Sequence, residues 1–448
     1  MTDTTHESES PGARADRAVA AILADLDTAP GRGVVVDSPP GAGKSTLVVK
    51  AAGHLADTDR QLMIVAQTNE QVDDLVDRLA REHRDLAIGR LHATGFTLPP
   101  RVTNHPNVTA SSQITDLRTL PIVVSTAAKW SYVDPEKCEP WQWAIVDEAY
   151  QMRSDALLAT APLFSLPDSR VLFVGDPGQL DPFATVETDR WRGLTWDPLR
   201  NAVDVTLAHN TDLARHQLPI SWRLPETAAD VVQRAFYPYY PFTSGTRTAD
   251  RTLTYATTAH RLTPVDTVLT RAADSGWGYL ELPPRHTLDD DPEVAEALAT
   301  CAARVLERGA TANDVRLTES RIAVGTARTV QADAVRTRLA TRGLTGITVD
   351  TANRLQGREF DVTLVWHPLS GRHDASAFHL ETGRLCVLLS RHRHACIVVA
   401  RAGIRDLLDR HPSTRPVHLD VPPKFPDGWR AHQTVMGHLE RDEHRVAD

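Results

Sequence analysis

A chain of 448 residues is longer than one ordinary hydrophobic core, so two or three domains are expected. Hydrophobic residues make up 41% and charged residues 24%, a globular balance, and no apolar run reaches the length of a membrane span. The formal net charge of −9 argues against coating nucleic acid through bulk charge and leaves room for a local basic groove.

Residues 1–14 read as a polar, disordered tail and not as a signal peptide. Ala15 to Leu26 is helical, with Val19, Ile22, Leu23 and Leu26 on one stripe. Val34 to Thr46, V-V-V-D-S-P-P-G-A-G-K-S-T, runs from β-branched residues through a Pro/Gly turn into a helix over Leu47 to Leu55. Strand, loop and helix N-terminus in that order suit phosphate binding. Ser38 stands where the first Gly of G-x-x-x-x-G-K-[ST] is usual. Gly41 and Gly43 let consecutive backbone N–H groups turn inward onto phosphates, and Thr46 continues that cradle. Lys44 is placed to reach the β and γ phosphates, and the Ser45 hydroxyl to sit on Mg²⁺.

Leu62 to Ala66 is a second strand, followed by Q-T-N-E and a helix in which Val72, Leu75, Val76 and Leu79 recur at helical spacing. Residues 83–118 show little periodicity and read as a loose connection. Ile122 to Ser125, Trp143 to Val146 and Val171 to Val174 are short apolar strands, the last two running into Asp147-Glu148 and Gly175-Asp176. Such strands describe an open parallel sheet with its site at the C-terminal edge, closing a first domain over 15–212. A second α/β domain spans 213–405. Its strands are Tyr279 to Leu282, Arg321 to Gly325, Ile347 to Thr351, Asp361 to Trp366 and Ala395 to Ala400. Its helices are Pro292 to Glu307, Thr329 to Arg342 and Glu381 to Ser390, with a short one over Ile404 to Arg410. Residues 226–320 have room for a small irregular subdomain. Pro412, Pro416, Pro422 and Pro423 mark a Pro-rich segment and polar tail over 406–448, in which Trp429 to Asp448 reads as helical or frayed. Cys138, Cys301, Cys386 and Cys396 form no C-x-x-C pair, which speaks against a metal knuckle and suits a reducing cytoplasm.

Asp147-Glu148 ends an apolar strand with two carboxylates, one to hold Mg²⁺ and one to polarise the attacking water. Taken alone the pair reads equally as a helix cap, and G-D-P-G at 175–178 as a turn. Ser221-Trp222-Arg223 and Ser390-Arg391-His392-Arg393 bring arginines to the second domain, where a planar guanidinium suits a γ-phosphate.

In order, these stretches resemble the motifs of superfamily 1 helicases, and more closely their Upf1-like branch. The matching stretches are S-P-P-G-A-G-K-S-T at 38–46, A-Q-T-N-E-Q-V-D-D-L-V-D-R-L at 66–79, S-T-A at 125–127, D-E-A-Y-Q at 147–151 and G-D-P-G-Q-L-D-P at 175–182. The second domain adds S-W-R-L-P at 221–225, V-D-T-A-N-R-L-Q-G-R-E-F-D at 349–361 and L-L-S-R-H-R-H-A at 388–395. The resemblance implies a P-loop NTPase of two tandem RecA-like domains with mostly parallel sheets, using ATP and Mg²⁺. It implies an ATP site of Gly43, Lys44, Ser45, Asp147, Glu148, Gln179, Arg223 and Arg391, bordered by Gly357 and Glu359. Thr68, Asn69, Ser125 and Thr126 would touch the backbone of a single strand, without reading bases. Trp222 would stack on adenine or anchor a domain interface; Trp130, Trp141 and Trp143 are candidates for base stacking, with core packing favoured at Trp143.

Tyr150 is inserted where the family has D-E-A-Q, which shifts Gln151 by one place. The stretch between 79 and 147 leaves no room for the accessory barrel of larger relatives. The implied activity is a nucleic-acid-stimulated ATPase that translocates on single-stranded DNA or RNA, 5′→3′, as a monomeric cytoplasmic motor; a protein partner would supply any wedge. Against it stands an ATP-dependent binding switch, for instance in a defence or mobile-element complex. A small-molecule kinase offers no role for the second domain.

Overall fold

Short β-branched and apolar runs become strands, and their alternation decides which layer each side chain joins. In the computed structural model, which describes residues 9–29, 31–58, 60–164, 167–180, 182, 189–191, 197, 200–257, 263–412 and 427–447, two units are distinguished. The first comprises residues up to Ser38, Ala42–Pro177 and Asp181–Pro219; the second comprises Pro39–Gly41, Gly178–Leu180 and Ile220 onward.

The first unit is built on an eight-stranded parallel sheet of β1 (Gly33–Asp37), β2 (Leu62–Ala66), β3 (Ile88–Leu91), β4 (Val108–Ser111), β5 (Ile122–Thr126), β6 (Trp143–Asp147), β7 (Arg170–Gly175) and β8 (Ala214–Gln217). Their order is β4-β3-β5-β2-β6-β7-β1-β8. Val34 and Val36 join one hydrophobic layer, with the helices Lys44–Ala56 and Asn69–Glu82, while Val35 joins the layer on the other face. The six inner strands are buried on both faces along most of their length, as parallel sheets require, whereas the edge strands β4 and β8 are partly exposed. The loose connection expected over 83–118 holds β3 and β4, and β8 carries the first sheet past residue 212. The first helix runs over Pro11–Thr28, capped by the Ser10 side chain, so part of the expected tail is ordered helix; residues 1–8 lie outside the described ones.

The second unit carries β9 (Ile220–Ser221) paired with β10 (Thr243–Ser244), and an antiparallel trio of β11 (Leu253–Tyr255), β13 (Ala310–Ala312) and β14 (Val315–Arg316). Its main sheet holds β12 (Trp277–Leu282), β15 (Ile322–Thr326), β16 (Thr348–Thr351), β17 (Phe360–Trp366), β18 (His392–Arg401) and β19 (Arg445–Ala447). These are all parallel, in the order β16-β15-β17-β18-β12-β19. The tail expected to be polar and helical or frayed is helical over Gly428–Leu439, and its polar character is a correction: that helix buries Ala431, Val435, Met436 and Leu439 in the core, and β19 extends the sheet. Pro416, Pro422 and Pro423 lie outside the described residues. All four cysteines are free and buried. Among the described residues, no helix is long and apolar enough to cross a membrane.

Candidate active site

β1 delivers the chain into the phosphate loop at its C-terminal end. Ser38 is fully buried, and its N–H donates to Gly175 O at 2.9 Å, tying the loop to β7. Gly41 and Gly43 take φ of +72° and +90°, a region that favours glycine. The helix Lys44–Ala56 starts from Gly43 with no side-chain cap, so its first N–H groups remain available to phosphate oxygens.

In the first unit, the Lys44 ammonium lies 3.7 Å from Glu148 Oε1 and 3.8 Å from Asp176 Oδ2. Asp176 directly follows β7 and was not singled out from the sequence as a partner of Lys44. Glu148 takes φ +50° and ψ +46°, a left-handed conformation uncommon for a bulky residue. Asp147 Oδ1 accepts the Glu148 N–H at 3.0 Å, bracing that turn. Burial, followed by the adjacent Glu148 carboxylate, pushes the Asp147 carboxyl up to about 7, against the pull of Lys44.

The inserted Tyr150 is accommodated by a tight 3₁₀ turn over Ala149–Gln151. Its hydroxyl donates to Asp37 Oδ1 at 2.5 Å, and Arg215 Nη2 donates to Asp37 Oδ2 at 3.1 Å. Gln151 Nε2 still reaches Glu148 Oε2, at 3.2 Å. Gly175 answers the same insertion, since a Cβ there would sit 2.8 Å from Tyr150 Cδ2.

In the second unit, Arg223 stands against Gly41: a Cβ added to Gly41 would meet Arg223 Cβ at 2.2 Å. Trp222 N–H donates to Gly41 O at 2.9 Å, and its half-exposed ring covers Gly245. Arg223 Nε donates to Glu359 Oε2 at 2.9 Å, and Arg393 pairs with the other oxygen of Glu359. Glu359 thus neutralises two arginines. Gly357 makes a left-handed turn two residues earlier, at φ +79°. Arg391 is buried, and its Nη2 donates to Ser390 Oγ at 2.8 Å. Gln179 is buried too, and Gly383 packs so closely that a Cβ there would lie 2.9 Å from the Gln179 carbonyl carbon.

The residues expected to grip a strand divide differently. Thr68 caps the helix Asn69–Glu82 in a reciprocal bond pair with Gln71, and Asn69 Oδ1 accepts from Arg90 at 3.0 Å; both remain exposed. Ser125 and Thr126 are buried. Ser125 Oγ donates to Leu91 O at 2.6 Å, and Thr126 Oγ1 accepts the Lys129 N–H at 3.2 Å. Stacking by Trp130 and Trp141 is corrected, and the core packing favoured at Trp143 is found: all three are core side chains, at most 2% exposed, with Trp130 edge-on to Trp141. The exposed aromatic of that region is Tyr132, at 88%. Its sequence neighbours carry no signal that separates it from the three tryptophans.

The residues fit a nucleotide with its ion. Among the described residues no cluster of three or more His, Cys, Asp or Glu is arranged for a metal. Mg²⁺ is usually held by one or two carboxylates together with phosphates, and Asp147 at the end of β6 is a carboxylate of that kind.

A family model described as "AAA domain" matches residues 17–191, and a second of the same description matches 206–403. No curated protein matches the sequence. Among solved structures, the arterivirus nonstructural protein 10 (helicase) is similar at 15% identity and a TM-score of 0.42, over 86% of this chain and 61% of that one. The same arterivirus helicase in complex with DNA gives 16% identity and a TM-score of 0.41, over 86% and 63%. This chain therefore spans about three-fifths of the length of those helicases. From the two matched stretches and the two parallel sheets, the chain is an ATP-hydrolysing P-loop NTPase of two tandem RecA-like domains.

Proposed function

We propose that this ATPase is stimulated by single-stranded nucleic acid and moves along it 5′→3′, in the manner of the Upf1-like branch. The observation that carries the reading is the Lys44 ammonium held between Glu148 and Asp176 at the head of an uncapped helix. A cation so placed exchanges carboxylate partners for phosphate oxygens when ATP arrives. Ser45 and Asp147 would hold Mg²⁺, which supplies charge neutralisation to the phosphates. Gly41, Gly43 and Thr46 bind phosphate oxygens through N–H groups, and Glu148 takes the proton of the attacking water. Arg223 and Arg391 present guanidiniums to the γ-phosphate, with Gln179 sensing its departure. Trp222 offers a ring to the adenine, and Gly357 lets the chain turn beside it. Because Glu359 restrains Arg223, engagement of that arginine requires Glu359 to give way, which couples nucleotide state to the second unit.

Thr68 and Asn69, exposed after β2, would contact the strand backbone, with N–H groups near Ser125 and Thr126 adding to the grip. The stretch before β5 is spent on two strands of the first sheet, β3 and β4. This favours a bare motor over an enzyme carrying its own wedge.

Steady-state ATP hydrolysis with and without single-stranded DNA and RNA, with Glu148→Gln as the blank, tests the reading. A rise of roughly tenfold with one polymer, lost in Glu148→Gln, is expected. A rate unchanged by both polymers overturns it in favour of an ATP-dependent switch.

A further inference from the structure

Trp222 and Arg223 follow β9, whose Ser221 carbonyl accepts the Gly245 N–H just beyond β10, so the two connections run side by side. After β10 the chain makes a 3₁₀ turn over Thr248–Asp250 and presents Arg251 shortly before β11. Arg251 Nη2 donates to Trp222 O at 2.9 Å, while the Trp222 N–H donates to Gly41 O at 2.9 Å. Trp222 therefore joins Arg251 to the phosphate loop.

We propose that Arg251 is a further anion-binding residue of the nucleotide site, taking an oxygen of the γ-phosphate beside Arg223. The proposal rests on the reading that brings Arg223 to that phosphate, and it names a residue outside the helicase-like motifs.

The charges around Arg251 call for an anion. Among the described residues no carboxylate lies within ion-pair distance of it, and its Nε is buried with no hydrogen-bond partner. An orphaned donor of that kind needs a reason, and an incoming ligand supplies one. Asp361 and Asp250 attract the Arg251 charge but are engaged elsewhere. Asp361 pairs with Arg321 and faces His394, and Asp250 Oδ2 accepts the Arg247 N–H at 2.9 Å. Glu359 is already the common partner of Arg223 and Arg393. Burial, and after it the charges of Arg251, Arg223 and Arg321, hold the Arg393 guanidinium below its usual value. Guanidiniums gathered in this way repel one another until an anion enters.

Phosphate oxygens match the donor fork of arginine, and a triphosphate carries the negative charge this cluster lacks. A backbone phosphate of a strand has the same chemistry. The contacts of Trp222 and Arg223 with Gly41 favour the nucleotide.

The test is isothermal titration of the full chain, with Mg²⁺, by the β,γ-imido analogue of ATP and by ADP. Arg251→Gln keeps a donor for Trp222 O and removes the charge. It should weaken binding of the analogue roughly tenfold and leave ADP unchanged. An unchanged affinity for the analogue overturns the assignment. Equal loss of both nucleotides overturns it too, making Arg251 a brace for Trp222. Loss of oligo(dT) binding with intact nucleotide binding overturns it in favour of a strand contact. Phenylglyoxal labelling of the wild type applies even if the variant fails to fold. The analogue should protect Arg251 and ADP should not; equal labelling with either nucleotide overturns the proposal. Arg223→Gln separates this proposal from the reading beneath it. If that variant also binds the analogue normally, the placement of Arg223 fails and Arg251 fails with it. If Arg223→Gln alone weakens the analogue, only the assignment of Arg251 fails.

Discussion

Glu148 and Tyr150 show how an acidic pair is aimed by its neighbours. The left-handed turn at Glu148 swings the chain so that Tyr150 points inward to Asp37 and Gln151 reaches back to the carboxylate it follows. Tyr150→Phe would leave buried Asp37 with one donor fewer. It should cost about 1–3 kcal/mol of stability, read as a lower urea midpoint at unchanged slope. ATP turnover should fall far less than in Glu148→Gln; an unchanged midpoint would mean that the hydroxyl bond contributes nothing. Lys44, Asp147 and Glu148 were legible because phosphate loops and strand-end acids are local patterns. Asp37, Asp176 and the burial of Trp130 and Trp141 were not, because burial and pairing across strands depend on sheet order.

At the scale of elements, apolar runs such as Leu62–Ala66 and Trp143–Asp147 announced themselves as strands. I-G-R-L, V-T-A-S and A-R-H-Q did not, yet they form β3, β4 and β8. Arg90 explains one of these. It lies fully buried in β3, where Asp73, Asn69 and the Leu91 carbonyl satisfy its guanidinium, and a buried arginine looks like a surface residue in one dimension. The helix Gly428–Leu439 was legible as helical, but its docking into the core was not, since its apolar stripe follows a Pro-rich stretch and sits among polar residues. Two glycines in it test how tightly it docks. A Cβ on Gly428 would fall 1.7 Å from the Leu380 carbonyl oxygen, so Gly428→Ala should destabilise the second unit by about 1–3 kcal/mol. A Cβ on Gly437 would meet only the tip of Arg405, so Gly437→Ala should be neutral or stabilising by up to about 1 kcal/mol. Unfolding midpoints of the two variants measure the difference, and a stable Gly428→Ala would mean the helix sits more loosely than described.

Over the whole molecule, the second unit concentrates buried histidines. His367 and His432 meet edge to face at 5.1 Å, while Trp277 lies between His392 and His438. Burial holds His392, His432 and His438 down to about 3 and His367 well below its usual value. Their folded-state values lie below the unfolded value of 6.5, so unfolding takes up protons in acid. The stability is fully present above about 6.5 and is lost as pH falls toward 3. For a fully buried histidine the loss is about 1.4 kcal/mol per pH unit. Thermal unfolding should therefore show a strong fall in midpoint between pH 7.5 and 5, lessened in His432→Phe. A flat profile in the wild type would contradict the burial of these rings.

β12 lies between β18 and β19, and neither partner is near it in the chain. A ribosome releases Trp277–Leu282 before it has made His392–Arg401, an interval on the order of ten seconds at ordinary elongation rates. Until then a strand bearing Trp277, Tyr279, Leu280 and Leu282 has no partner on either edge. The nascent second unit is therefore most prone to aggregate late in its own synthesis. Its yield in cells should depend on elongation speed and chaperone supply more than on the stability of the finished fold.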